Sequence, residues 1–356
     1  MDFSKNFINN LVILSIFLTG FVFICTWNPI ISKSSVISFQ KYPISQSKPP
    51  NIALIKDDLE EALSNAATAN KTLIITIVNK AYVEPHNDQY PTMLDLFLEG
   101  FWVGEETISL LDHLLVVAMD QTAYDRCKFR RLNCYRLLTD GADFTEEKFY
   151  MSQDFINMMW TRTRFLLDVL KRGYNFIFTD TDVIWLRNPF PRLRFNETDD
   201  FQISTDKFNG NPWSETNLIN TGFYHIKANK KTISLFQLWY DTRLNSTGLK
   251  EQDVLAILIE KGVSTQLGLK MRFLDTLYFS GFCKDSEDVR LVITMHANCC
   301  RSISAKVADL TTVLKDWKRF KQPRSVASNT TTSAAFQWSE HISCISSWME
   351  TNGKLP

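Results

Sequence analysis

The sequence predicts an α/β fold with a largely parallel sheet, and three observations carry that prediction. The runs Thr72–Val78, Leu114–Met119 and Asn175–Thr179 are short, apolar and rich in β-branched or aromatic residues, as strands buried on both faces are. Between the second and third, Phe155, Met158, Met159, Phe165, Leu166, Val169 and Leu170 recur at helical spacing over Ser152–Arg172. Strand, helix and strand in that order is the βαβ arrangement. Ligands of such sheets sit beyond the carboxyl ends of the strands, where Asn79, Asp120 and Asp180 fall.

The elements follow in chain order. Phe7–Ile31 holds 25 uncharged residues, and about 20 apolar residues span a bilayer core as a helix. Residues 1–31 therefore read as a short tail and an uncleaved signal anchor. A cleaved signal peptide is the rival, but it wants small residues at its exit, where Cys25, Thr26, Trp27, Asn28 and Pro29 stand. Flanking charge (Asp2 and Lys5 against Lys33, Lys41 and Lys48) leaves the orientation open. Residues 32–55, rich in Ser, Lys, Gln and Pro at their start, read as a stem. A catalytic domain is expected over 56–322 and a C-terminal tail over 323–356, in which Phe336, Trp338, Cys344 and Trp348 suggest packing.

Within the domain, Asp57, Asp58, Leu59, Ala62, Leu63, Ala66 and Ala67 form a helical pattern ahead of the first strand. Ser152 and Asp154 suit the start of the central helix and Gly173 its end. Downstream, Ile219–Ile226 and Gly268–Phe273 read as strands, and Lys231–Arg243 and Asp253–Lys261 as helices.

With 356 residues, 45% hydrophobic and 22% charged, the chain can bury a substantial core. Its 39 basic and 39 acidic side chains cancel and no Lys/Arg block stands out, which excludes a nucleic-acid partner. Asn-x-Thr sequons at Asn70, Asn196, Asn245 and Asn329 accept glycans only in the secretory lumen. Of seven cysteines, six lie downstream of the apolar run, an even set suited to an oxidising compartment. Cys127 and Cys134 are close enough to staple one loop; Cys283, Cys299, Cys300 and Cys344 allow three connectivities.

Asp180-Thr181-Asp182 interrupts the apolar stretch Asn175–Pro189. Hard cations such as Mg²⁺ and Mn²⁺ are commonly held by one or two carboxylates together with substrate phosphates. The pair suits that task if the chain turns after the strand, because in a continuing strand both side chains would share one face and repel. A turn or helix cap is the alternative. Arg162 and Arg164 lie on the preceding helix, and Arg164 is assigned here to the donor site. His296, next to a potential disulfide anchor at Cys299 and Cys300, suits the completion of a metal shell, with a purely structural histidine as the alternative.

These motifs resemble the plant nucleotide-diphospho-sugar transferases that include rhamnogalacturonan xylosyltransferases and extensin arabinosyltransferases. The likeness runs from about Thr72 to Lys318 through AYDRC with NCY, GYNFIFTDTDVIWLRNPF, NTGFYHIK, EQDVL, GLKMRFLDTLYFSGFC and TMHANCC. It implies a GT-A-type (Rossmann-like) nucleotide-sugar-binding domain with a mixed sheet, in a Golgi membrane protein of single-pass type II topology with its catalytic domain luminal. It further implies transfer of a pentose from a UDP-sugar, with retention, to a cell-wall polysaccharide or glycoprotein acceptor. Asp180, Asp182 and His296 would hold Mn²⁺ or Mg²⁺. Asn79 and Asp120 would contact the base or ribose, with local turn chemistry as their alternative. Asn220, Thr221 and Gly222 resemble the sugar-contacting segment, in which a glycine often stands at the place of Thr221. Glu251, Gln252 and Asp253 resemble an acidic-glutamine motif near the reacting sugar, with an acid-enriched helix N-terminus as the alternative for Glu251. Asp206 lacks the cysteine that often precedes it in the family and stays a donor contact, while Trp213, flanked by Gly210 and Pro212, suits sugar stacking. His86, His113, His225 and His341 read as surface or packing residues without evident partners.

Two rival functions fit parts of this pattern. A haloacid-dehalogenase-type phosphatase also places Asp-x-Asp after an apolar strand, but it needs a second acidic pair, for which Asp285 and Asp288 lack a preceding strand. A carbohydrate-binding relative without turnover would keep the fold alone.

Overall fold

The computed structural model describes residues 57–85, 91–139, 141–193, 198–322 and 336–350. The expected anchor and stem lie outside these residues, as do His86, the sequons at Asn196 and Asn329, and the tail apart from 336–350. Among the described residues no helix is long and apolar enough to cross a membrane.

Seven strands form one sheet: β1 (Thr72–Val78), β2 (Leu114–Ala118), β3 (Asn133–Arg136), β4 (Asn175–Thr179), β6 (Phe201–Lys207), β7 (Leu218–Ile226) and β8 (Met271–Phe273). Their order is β3-β2-β1-β4-β7-β6-β8. β1, β2, β3 and β4 run parallel, β7 is antiparallel to both β4 and β6, and β8 is parallel to β6. This is the mixed α/β sheet expected of a GT-A-like domain. One reversed strand leaves the carboxyl ends of the other six at a single edge. A second sheet, ordered β5-β10-β9, joins β5 (Val183–Trp185), β9 (Phe279–Gly281) and β10 (Thr294–His296).

The central strands are buried on both faces, so alternate residues feed different cores. Leu73, Ile75, Phe176 and Phe178 pack with Phe165 and Leu166 of the helix Gln153–Lys171 on one side. Ile74, Val116 and Ile177 pack with Phe97, Phe101 and Trp185 on the other. The helix starts where its cap requires: Ser152 Oγ accepts from the Phe155 N–H at 3.2 Å, and Gly173 follows it in the left-handed region at φ +80°.

Two boundaries differ from the sequence pattern and two sets of strands leave no pattern to read, each for a local reason. Gly268, at φ +62°, ends a short helix, Val263–Leu267, so β8 starts only at Met271. The helix expected from Asp253 begins at Glu251, which puts Glu251 and Gln252 in its first turn. β6 has no apolar run, because FQISTDK alternates and its polar side chains are bonded inside. The three-residue strands of the second sheet are too short to show a period.

All six downstream cysteines are paired, as Cys127–Cys134, Cys283–Cys299 and Cys300–Cys344. The last of these clamps the helix Ile342–Glu350 onto the domain, where Asp309 Oδ2 also accepts from the Cys344 N–H at 2.8 Å. Phe336 and Trp338 extend the same packing, with Phe336 on Phe320 at 5.4 Å between centroids. Opening a link that spans 44 residues removes on the order of 2–4 kcal/mol. The paired substitution Cys300→Ser/Cys344→Ser should therefore lower the thermal midpoint by roughly 5–10 °C in a melt followed by near-UV circular dichroism. An unchanged midpoint would show that the clamp carries no stability.

Candidate active site

β4 delivers Asp180 to the carboxyl edge of the sheet and the chain then turns, with the Val183 N–H donating to Asp180 O at 3.2 Å. The turn splits the two carboxylates instead of stacking them along one strand. β5 follows at once and pairs with β10 so that Val183 faces His296. Pairing with β5 thus brings an imidazole from more than a hundred residues downstream beside the Asp-x-Asp turn. One ligand atom each from Asp180, Asp182 and His296 lies within 4.8 Å of the others.

Charge around this trio is closely matched. Asp182 is buried; its Oδ2 accepts from Lys306 Nζ at 2.7 Å, and its Oδ1 lies 3.3 Å from His296 Nε2. Burial raises Asp182, but Lys306 and His296 outweigh it and hold the carboxyl well below the usual carboxylate range. Burial raises Asp180 against the pull of Arg162, with the negative Asp182 adding to the rise. Burial lowers His296, yet the Asp182 carboxylate prevails and the imidazole binds its proton more tightly than usual. Without metal, this pair stabilises the fold fully between about pH 3.8 and about pH 6.5; the contribution is lost as pH rises through the elevated value of His296, and at the acid end as Asp182 is protonated.

The opposite wall comes from β7 and the helix Glu251–Glu260. Arg162 donates to Asp180 Oδ1 at 2.7 Å and to Glu251 Oε1 at 2.6 Å, and its guanidinium lies over Phe178 at 4.8 Å. Thr221 Oγ1 donates to the same Glu251 oxygen at 2.8 Å, and the Thr221 N–H donates to Gln252 Oε1 at 3.1 Å. Asn220 Nδ2 and Asn298 Nδ2 both donate to Asp206 Oδ1 at 2.8 Å. A Cβ on Gly222 would fall 2.4 Å from His296 Cε1 and 2.9 Å from Asp180 Oδ2. Glycine is required there because the β7 backbone passes directly against the candidate ligands. Asp253 sits half-buried nearby, its carboxyl raised by burial against the pull of Lys250.

These groups line a cavity of about 410 Å³, within the ordinary range for small-molecule sites. The structure gathers Asp180, Asp182, His296, Asn220, Thr221, Gly222, Gln252, Asp253, Asp206 and Asn79 around it. Asn79 also spends its amide on Phe144 O, at 2.6 Å. Three residues named from the sequence stand elsewhere. Asp120 is outside the lining: its oxygens accept from the Ala123 N–H, capping a helix, and from the Lys80 N–H at 2.5 Å, the local turn chemistry that was its alternative. Arg164 is exposed and lines another groove, because two helical residues turn a side chain by about 200°. Trp213 lies over Arg272, also in another groove. His341, expected to lack a partner, bonds Asp285 at 3.0 Å and stacks on Phe282.

The stretch 109–310 matches the sequence model of the family described as nucleotide-diphospho-sugar transferase. The chain belongs to that family. An uncharacterized protein of Arabidopsis thaliana is 52% identical over 355 residues, 99% of this chain and 98% of that protein. A beta-arabinofuranosyltransferase of the same plant is 26% identical over 198 residues, 55% of this chain and 34% of that protein. A UDP-D-xylose:L-fucose alpha-1,3-D-xylosyltransferase of that plant is 26% identical over 188 residues, 52% of this chain and 46% of that protein. Membership displaces the phosphatase reading, and the geometry agrees: Asp285 and Asp288, bonded to His341 and Arg290, lie outside the cavity lining of this transferase.

Sequence reasoning missed Lys306 and Asn298 and chose the wrong arginine. The signal for Arg162 was present: it stands four residues from both Met158 and Leu166, so a charge sits inside the apolar stripe. Lys306 carried no comparable mark. Because Glu251 and Arg162 are both buried, Arg162→Met should cost about 3–5 kcal/mol in urea denaturation by stranding Glu251. Arg162→Met combined with Glu251→Met should lose clearly less than the sum of the two single changes. Additive losses would show that the pair is not coupled.

Proposed function

We propose that this family member is a metal-dependent glycosyltransferase that moves a pentose from a UDP-sugar, with retention, to a glycan or glycoprotein acceptor. The observation that carries the reading is the Asp180–Asp182–His296 trio beside Lys306 in one cavity at the sheet's carboxyl edge. Two carboxylates and one imidazole are a donor set that suits Mn²⁺, with Mg²⁺ the harder alternative. A bound cation supplies charge stabilisation to the diphosphate as it departs. The chain's own residues do the rest. Lys306 brings a second positive group to the same rim, Arg162 fixes Asp180, and Gln252 fixes the β7 backbone at Thr221. Asp253 lies on the same wall and stands in reach of the sugar or its acceptor.

A pentose donor is favoured because two relatives are named for arabinofuranosyl and xylosyl transfer. A luminal domain held in the Golgi membrane by an N-terminal anchor is favoured by three disulfides and by sequons on the surface at Asn70 and Asn245.

The purified protein with Mn²⁺ should release UDP from a UDP-pentose, and Asp182→Ala should reduce that release on the order of 100-fold or more. Phosphate release from simple monoesters instead would restore the phosphatase reading, and neither activity would leave a binding protein. The pH dependence has a definite sign. A protonated His296 cannot ligate, so Mn²⁺ affinity measured by calorimetry should rise with pH through the elevated value of His296, about tenfold per unit on its acid side. His296→Ala should flatten that slope, and an equal slope in the variant would remove His296 from the metal site.

A further inference from the structure

The cavity above leaves unused a second, built surface along the edge of the sheet. The hairpin loop between β6 and β7 carries Trp213, a residue that is 52% exposed. The loop is rigidly held. Asn211 Oδ1 accepts from the Trp213 N–H at 3.0 Å, Asn217 Nδ2 donates to Asn211 O and Ser214 O, and Pro212 O accepts from the Phe273 N–H at 2.8 Å. One face of the indole is backed by the Arg272 guanidinium, 4.8 Å from the ring centroid, and Arg272 is fixed by the buried Asp199 at 2.6 Å. The indole thus stands at the wall of a groove of about 520 Å³ that follows the edge strand β8.

We propose that this groove is a secondary carbohydrate-binding site, taking a neutral sugar ring of a glycan chain on the indole of Trp213. A sugar ring has an apolar face of C–H groups and a rim of hydroxyls, and the groove offers both partners. The indole supplies the flat apolar surface. Around it stand Glu215 with Ser264 and Lys270 with Thr198, four hydrogen-bonding side chains at the groove's edge. One acid and one base at that rim give no net field, which favours a neutral ring over an anionic segment. A stable protein interface needs on the order of 1,000 Å² of complementary surface, and a single aromatic ringed by polar groups does not resemble one.

The groove is tied to the cavity through the hairpin. Asp206 at the end of β6 and Asn220 near the start of β7 both line the cavity, and Trp213 lies between them in the chain. Trp213 lies seven positions after Asp206, so the two are at most about 25 Å apart. A glycan of several sugars stacked at Trp213 can present another of its residues to the cavity. That last step rests on the transferase reading; glycan binding at Trp213 does not.

The test uses the full chain in detergent micelles and the neutral soluble glycans xyloglucan and arabinan as probes. Binding to at least one of them is expected, weakened about tenfold in Trp213→Ala and largely kept in Trp213→Tyr. UDP release from the donor without acceptor should be the same in Trp213→Ala as in the unaltered protein. Equal glycan affinity in Trp213→Ala, or no glycan binding by a protein that still releases UDP, overturns the proposal. Trp213-dependent glycan binding without UDP release upholds it while removing the transferase reading. Binding of unglycosylated peptides along β8 in place of glycans would also overturn it.

Discussion

The cavity depends first on one buried guanidinium. Arg162 reaches from the helix that precedes the Asp-x-Asp turn and bonds Asp180 on one side and Glu251 on the other. Four pieces of chain meet there: the helix itself, the end of β4, Thr221 of β7 and the first turn of the helix Glu251–Glu260. Burying Arg162 and Glu251 beside a partly buried Asp180 is costly, and attraction offsets the cost only when every polar atom is well placed. The arrangement therefore tolerates little slack. It sets the separation between the carboxylate that faces the candidate metal and the wall that carries Gln252 and Asp253.

The second constraint is the balance around Asp182. Two carboxylates held this close repel, and the protein resolves the conflict by treating them differently. Asp182 has two cationic neighbours and stays ionised, whereas Asp180 must share Arg162 with Glu251. Gly222 is the steric counterpart of that electrostatic arrangement. Only a residue without Cβ lets the β7 backbone, whose Gly222 O accepts from the Asp180 N–H at 2.7 Å, approach both candidate ligands at once. Charge and backbone packing thus fix the same three side chains.

Much of this was legible in the sequence where burial writes a pattern. β1 and β4 have the bounds that their apolar runs give, and the turn after Asp180 follows from the repulsion that a continuing strand would impose. The cysteines announced disulfides but not all their partners, since connectivity depends on which loops the fold brings together. Where polar residues are bonded inside, the pattern fails. β6 alternates, and Asp120 looks like a site residue while serving as a helix cap. Arg164 and Arg162 could have been separated by helical phase alone. Lys306 could not, because its role comes from where the helix Ile303–Lys321 starts relative to a turn far away in the chain.

That start point is itself secured by an unusual piece of covalent structure. The neighbours Cys299 and Cys300 point into different bonds, one to Cys283 just beyond β9 and the other to Cys344 of the terminal helix. Cys299 takes a left-handed backbone, at φ +53°, between them. Trp348 of the terminal helix donates to Cys299 O at 2.7 Å and lies beneath the Arg301 guanidinium, so the junction is held from outside as well. His296 lies three residues before this junction and Lys306 six after it. Both groups that neutralise Asp182 therefore take their positions from one stapled segment, and the terminal helix, remote in sequence from the Asp-x-Asp turn, helps set the charge on it.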